Sequence, residues 1–130
     1  MNDAAAESAF TVVSLGAERV LLCAQAGEAI ADARAATDLI GEASFAGATV
    51  LALPVARLDP SFFRLASGFA GEVAQKAVNY RLKLALIGDI QAHLQHSGPL
   101  RDWVRECGEG RSVLFVADWD ELARRLGADD

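Results

Sequence analysis

Glu72, Gln75, Lys76 and Asn79 recur at three- and four-residue steps, a spacing that places them on one face of a helix. With Arg81 and Asp89 downstream they form a candidate binding strip. Carboxylate, ammonium, amide and guanidinium groups in that strip could hold a small polar molecule at the edge of the following strand. The same spacing also describes a solvated face on which Glu72 and Lys76 pair across one helical turn, and the pattern favours that reading. His93 and His96 lie three residues apart near Asp89, a separation that can hold a metal on a helix. They are the only imidazoles in the chain, so a closed metal site would need ligands from elsewhere. Neither a Ser-His-Asp order, a P-loop nor a glycine-rich dinucleotide turn is present, and Gly108-Glu109-Gly110-Arg111 is too short to count as one. The expectation is no metal and no cofactor, and an enzyme would lack its nucleophile.

These residues are positioned by the stretch from Leu58 to Asp89. Asp59-Pro60 is a helix-start pair: a carboxylate accepts first-turn amides, and proline suits the first helical position. A short turn through Phe62 and Phe63 follows, and Ser67 then caps a second helix in which Phe69, Val73, Ala77 and Tyr80 make the inward stripe. After Arg81 the run LKLALIGD is almost continuously apolar, as a strand covered on both faces must be. Two adjacent aromatics diverge by about 100° on a helix. Either Phe62 and Phe63 are both buried in the monomer, or one packs under the helix while the other joins Phe69 in a patch that meets a partner or a second copy of the chain.

Around that stretch, FTVVSL and RVLLC read as a hairpin, Asp32 caps a helix running to about Ala43, and Gly47 lies in its exit turn. Residues 48–54 form a third strand. IQAHLQHSG (90–98) is expected as a loop or a frayed turn at the carboxyl end of the fourth strand, the usual ligand edge of an open α/β sheet. Pro99 opens a helix bearing Leu100, Trp103, Val104 and Cys107, and SVLFVA is the fifth strand. Asp118 and Glu121 make a capping box for the last helix. The order β-β-α-β-α-β-α-β-α implies one α/β domain over residues 9–130, with a mostly parallel mixed sheet flanked by about four helices. Residues 1–8 are expected to be a frayed terminus.

The formal net charge of −6 speaks against nucleic acid, which is held largely by Lys and Arg. No apolar run approaches the roughly 20 residues of a membrane helix, and the start MNDAAAESA lacks the pattern of a secretory leader. With two cysteines, Cys23 and Cys107, expected as buried thiols, a cytoplasmic setting follows.

The element order and lengths resemble the STAS domain of anti-sigma factor antagonists and sulphate transporter tails. That resemblance implies a phosphorylatable serine just ahead of a glycine at the start of the second helix, a place occupied here by Ser67-Gly68. Leu65-Ala66 precede it, where those antagonists usually carry aspartate and serine. A phosphate there would face free backbone amides, although plain helix capping also accounts for Ser67. More specifically, LDPSFF, SGFAGEVAQKAVNYR, IGD and LRDWVREC resemble an uncharacterised bacterial domain-of-unknown-function family, which implies no activity. In place of that family's Asn-Arg-Gly ending to the third helix, this chain has Gly108-Glu109-Gly110-Arg111. The first functional expectation is a non-enzymatic regulatory or protein-interaction domain acting through Ser67, Phe62, Phe63 and Phe69. The alternative is a small-molecule-binding domain or enzyme using Glu72, Lys76, Asn79, Arg81 and Asp89.

Overall fold

The computed structural model describes residues 10–110 and 112–127. The terminus expected to be frayed (residues 1–8) and Arg111 lie outside them. Strands β1 (Phe10–Leu15) and β2 (Glu18–Cys23) form the hairpin, and α1 (Ala33–Phe45) leads to β3 (Val50–Pro54). Three short 3-10 turns, Val55–Arg57, Pro60–Phe63 and Leu65–Ser67, precede α2 (Phe69–Asn79). The chain continues through β4 (Lys83–Ile87), α3 (Gln91–Gln95), α4 (Gly98–Glu109), β5 (Val113–Val116) and α5 (Trp119–Gly127). In the sheet the strands stand in sequence order, β1-β2-β3-β4-β5. Only the β1–β2 pair is antiparallel, because helical crossovers return each later strand in the same direction.

Strand alternation divides the core into two layers. Leu21, Cys23, Leu51, Leu53, Leu84, Leu86 and Val113 face one way and pack with Ile40 of α1, Val73 of α2 and Leu100 of α4. Val20, Val50, Ala52, Ala85, Ile87 and Val116 face the other way, against Leu122 and Leu126 of α5. The sheet is therefore covered on both faces, which is why β3 is buried at all five of its positions. Each fully buried leucine or isoleucine contributes about 1.5 to 3 kcal/mol relative to an exposed one.

Local chemistry sets the boundaries. The Asp32 side chain accepts from Ala35 N at 3.0 Å and starts α1, and Gly47, at φ 77°, follows its end. Asp118 Oδ1 accepts from Glu121 N while Glu121 Oε1 accepts from Ala117 N, a reciprocal cap that starts α5. The exit from α2 is a Schellman motif, with Leu82 N bonded to Ala77 O and Arg81 N to Val78 O. The left-handed position in it falls to Arg81, at φ 59°, where glycine is the usual residue.

Several expectations are corrected. Of the two alternatives for Phe62 and Phe63, burial in the monomer holds: Phe62, Phe63 and Phe69 are 0%, 3% and 5% exposed, so none of the three candidate interface rings offers a surface to a partner. The reason is coverage from both sides. Phe62 meets Phe63, Phe69 and Trp103 edge-on at centroid distances of 5.0, 5.1 and 6.4 Å, and Phe63 lies under the His93 ring. Segment 91–95, expected as a loop or a frayed turn, is the five-residue helix α3. Ser67 closes a 3-10 turn and α2 starts at Phe69, one residue after the left-handed Gly68. Tyr80, expected inward, is 47% exposed, because the helix has ended and the chain is already turning.

Candidate functional site

A helix that crosses back over a parallel sheet runs opposite to the strands, so its start lies at their carboxyl ends and its end at their amino ends. That geometry breaks up the polar strip. Exposed Glu72, near the start of α2, lines a shallow depression with Asp32, Arg34, Ser61 and Ser67. Asn79, near the other end, accepts from Gln75 Nε2 at 3.0 Å. Lys76 is half-buried between them, and among the described residues the ion pairs are Lys83–Glu18 and Arg105–Asp102, with none between Glu72 and Lys76. Arg81 precedes β4 and Asp89 follows it. With β4 alone roughly 16 Å long at about 3.3 Å per residue, these two cannot serve one small ligand, and the six residues do not form a single site.

Asp89 instead belongs to a cavity of about 420 Å³ at the carboxyl edge of the sheet. Its wall is made by the residues that leave each strand: Ala24 and Gln25 after β2, Val55 and Ala56 after β3, Gly88 and Asp89 after β4, and Ala117 and Asp118 after β5. Leu22, Cys23, Pro54, Ile87 and Trp119 supply the apolar part of its lining. Thr11 is also present, because antiparallel β1 begins where β2 ends and Thr11 pairs with Leu22. Gly88 makes the convergence possible. At φ 143° its backbone lies where side chains are strained, and a Cβ there would sit 2.9 Å from Val55 Cβ. Glycine lets the β3 and β4 exits meet at this point.

Both carboxylates of this cavity are half committed. One oxygen of Asp89 accepts from Gln91 N at 2.9 Å, and one of Asp118 accepts from Glu121 N at 2.9 Å. Each second oxygen has no donor among the described residues. Cys23, among the lining residues, is 1% exposed; burial pushes its thiol up to about 11, against an opposing effect of the Arg57 charge. The Arg57 guanidinium is itself held by Ala24 O and Glu28 O, which tightens the 24–28 loop beside the cavity. Of these residues only Asp89 is a candidate binding residue in the sequence; Cys23 and Asp118 stand out there as a buried thiol and a helix cap. Taking the residue or two after every strand, β2 to β5, would have found Gln25 and Asp118 as well.

His93 and His96 are separated from Asp89. They line a second cavity, of about 520 Å³, between the 3-10 turns and the α3–α4 junction. Among the described residues no group of three or more His, Cys, Asp or Glu side chains is placed to share a metal ion. Ser67 is exposed; its Oγ donates to Ser61 O at 2.7 Å and accepts from Phe69 N at 3.2 Å, so it closes the turn ahead of α2 in the way a helix cap would.

Fold and cavity together define an α/β domain with a pocket at the carboxyl edge of its sheet. The chain belongs to the domain of unknown function (DUF4180) family, whose model matches residues 15–126. Comparison with curated proteins and with solved structures gave no match. No helix among the described residues is long and apolar enough to cross a membrane.

Proposed function

We propose that this domain is a non-enzymatic binding module that holds a small organic amine with a flat apolar body at the carboxyl edge of its sheet. The observation that carries the reading is that Asp89 and Asp118, each with one carboxylate oxygen that accepts no bond among the described residues, line one cavity of about 420 Å³ together with Leu22, Pro54, Ile87 and Trp119. Volumes of about 300 to 1,000 Å³ with a few placed polar groups are typical of small-ligand sites. A protonated amine would bridge the two carboxylates through charge-assisted hydrogen bonds, and an aromatic body would lie on Leu22, Pro54 and Ile87 beside the indole. The neutral, buried Cys23 thiol supports binding over covalent catalysis, since the thiolate is the nucleophilic form. Free thiols at Cys23 and Cys107 support a reducing, cytoplasmic setting.

Calorimetric titration tests this with tyramine as the probe and N-acetyltyramine as its uncharged counterpart. Tyramine should bind, and the acetylated form should bind about tenfold more weakly. Asp89→Asn and Asp118→Asn should each reproduce that loss without unfolding the protein, because asparagine keeps the capping oxygen. Equal binding of the two probes would reject the reading.

A regulatory role through a protein partner or self-association is a second reading, supported by the exposed Ser67 hydroxyl beside Gly68. Phosphate on Ser67 would remove its donated bond to Ser61 O and add charge next to Arg34 and Glu72. If that matters, Ser67→Asp should change the mass of the protein in solution while Ser67→Ala does not; unchanged mass in both would count against it.

A further inference from the structure

The cavity beside α3 differs in chemistry from the one at the carboxyl edge. Its apolar wall is Pro60, Phe63, Leu65 and Pro99. Its charged or chargeable lining is Arg64, His93 and His96, with no carboxylate among the lining residues. In a chain with 18 acidic and 12 basic residues, that local reversal of sign needs a reason. The Arg64 side chain is exposed and makes no hydrogen bond or ion pair among the described residues. The nearest acid from the same turn, Asp59, has one oxygen, Oδ2, engaged by Ser61 N and Ser61 Oγ at 3.0 and 2.6 Å. These bonds, and to a lesser degree the Arg64 charge, hold its carboxyl low, but no ion pair with Arg64 forms among the described residues. His93 stacks on Phe63 with centroids 4.1 Å apart and planes 13° from parallel. Stacking holds the imidazole plane nearly parallel to the Phe63 ring, so the hydrogen-bonding directions of its nitrogens run alongside that ring rather than onto its face.

We propose that this second cavity binds a small amphipathic carboxylate, its apolar body between the two prolines and Leu65 and its carboxylate on Arg64, with the imidazoles of His93 and His96 as additional donors. The shape and charge select this class. At about 520 Å³ the cavity is large enough for a ring or a short alkyl chain, and a guanidinium matches a planar carboxylate with two parallel hydrogen bonds. A highly charged phosphate would find one guanidinium and a mostly apolar wall, a poor exchange for its hydration. The inference does not depend on the amine site, because the two cavities share no lining residue.

Titration with phenylacetate against phenylacetamide, followed by NMR of the His93 and His96 imidazoles and of the Phe63 ring, provides the test. The acid should bind with shifts at those three side chains and at least about tenfold more tightly than the amide. Arg64→Gln should bring the acid down to the affinity of the amide while leaving the melting temperature of the free protein unchanged, since Arg64 is exposed and unpaired among the described residues. Ala92→Trp, on the exposed side of α3, should block both compounds by filling the cavity. Equal affinities of acid and amide would overturn the proposal. So would wild-type binding by the Arg64→Gln variant, shifts confined to Trp119 and Asp89, or no binding of phenylacetate by about 10 mM.

Discussion

Replacing Gly88 with alanine tests whether the pocket wall depends on the close meeting of the β3 and β4 exits. Two costs add at this residue. A backbone at φ 143° is a region side chains rarely enter, with strain of about 1 to 3 kcal/mol. The new Cβ would also stand 2.9 Å from Val55 Cβ and 3.3 Å from its Cγ2, an overlap with a half-buried side chain whose relief costs about 1 to 3 kcal/mol. The expected loss in urea unfolding is therefore about 2 to 6 kcal/mol, large for a single added methyl. A double-mutant cycle with Val55→Gly separates the two parts: removing the Val55 side chain should restore the steric share and leave the backbone share in place. A loss below about 0.5 kcal/mol, the scale of an ordinary surface change, would refute the reasoning, as would full rescue by Val55→Gly.

Three further outcomes are expected. Arg81→Gly should raise stability by about 0.5 to 1 kcal/mol in the same urea assay, because glycine removes the left-handed strain at the end of α2 and costs some unfolded-chain entropy in return; a loss would mean that the Arg81 side chain makes a stabilising contact. Cys23 should resist iodoacetamide in the native protein near pH 8 and react once denaturant is added, since burial keeps it a neutral thiol, and rapid native alkylation would contradict that. For Glu18, burial acts to raise the carboxyl, but hydrogen bonds from Lys83 and Thr49 and the Lys83 charge outweigh it and hold the group below its usual 4.5. The folded chain then binds fewer protons than the unfolded one, so this contribution is present above about 4.5 and is lost as the pH falls through the lower folded value. Glu18→Gln should flatten the stability profile in that acid window, and an unchanged slope would assign the acid sensitivity elsewhere.

The sheet was legible because its strands carry their burial in the sequence. A run such as LKLALI has a single polar position, the half-buried Lys83, and Asp32, Gly47 and the Asp118–Glu121 pair act within one turn of where they stand. The α3 helix was not legible, since it is five residues long, lacks a side-chain cap and owes its place to packing beside Phe63. Coverage of the two phenylalanines came from Trp103 and His93, thirty or more residues away, which local spacing does not reveal. The polar strip failed for a topological reason: residues close in sequence across β4 lie at opposite ends of the strand. The carboxyl-edge pocket shows the converse, drawing Thr11, Gln25, Asp89 and Trp119 together from distant parts of the chain. The rule that places ligands at strand ends pointed to Asp89 and, applied to every strand, reaches Gln25 and Asp118, but Thr11 and Trp119 lie beyond it.

Amide and indole shift mapping during a tyramine titration tests the central claim most directly. Binding at the carboxyl edge should give saturable shifts concentrated at Thr11, Cys23, Gly88, Asp89 and the Trp119 indole, all of which line the cavity, with the Trp103 indole unmoved. Shifts that do not saturate, or that centre on the exposed Phe45 and Tyr80 at the amino end, would contradict it.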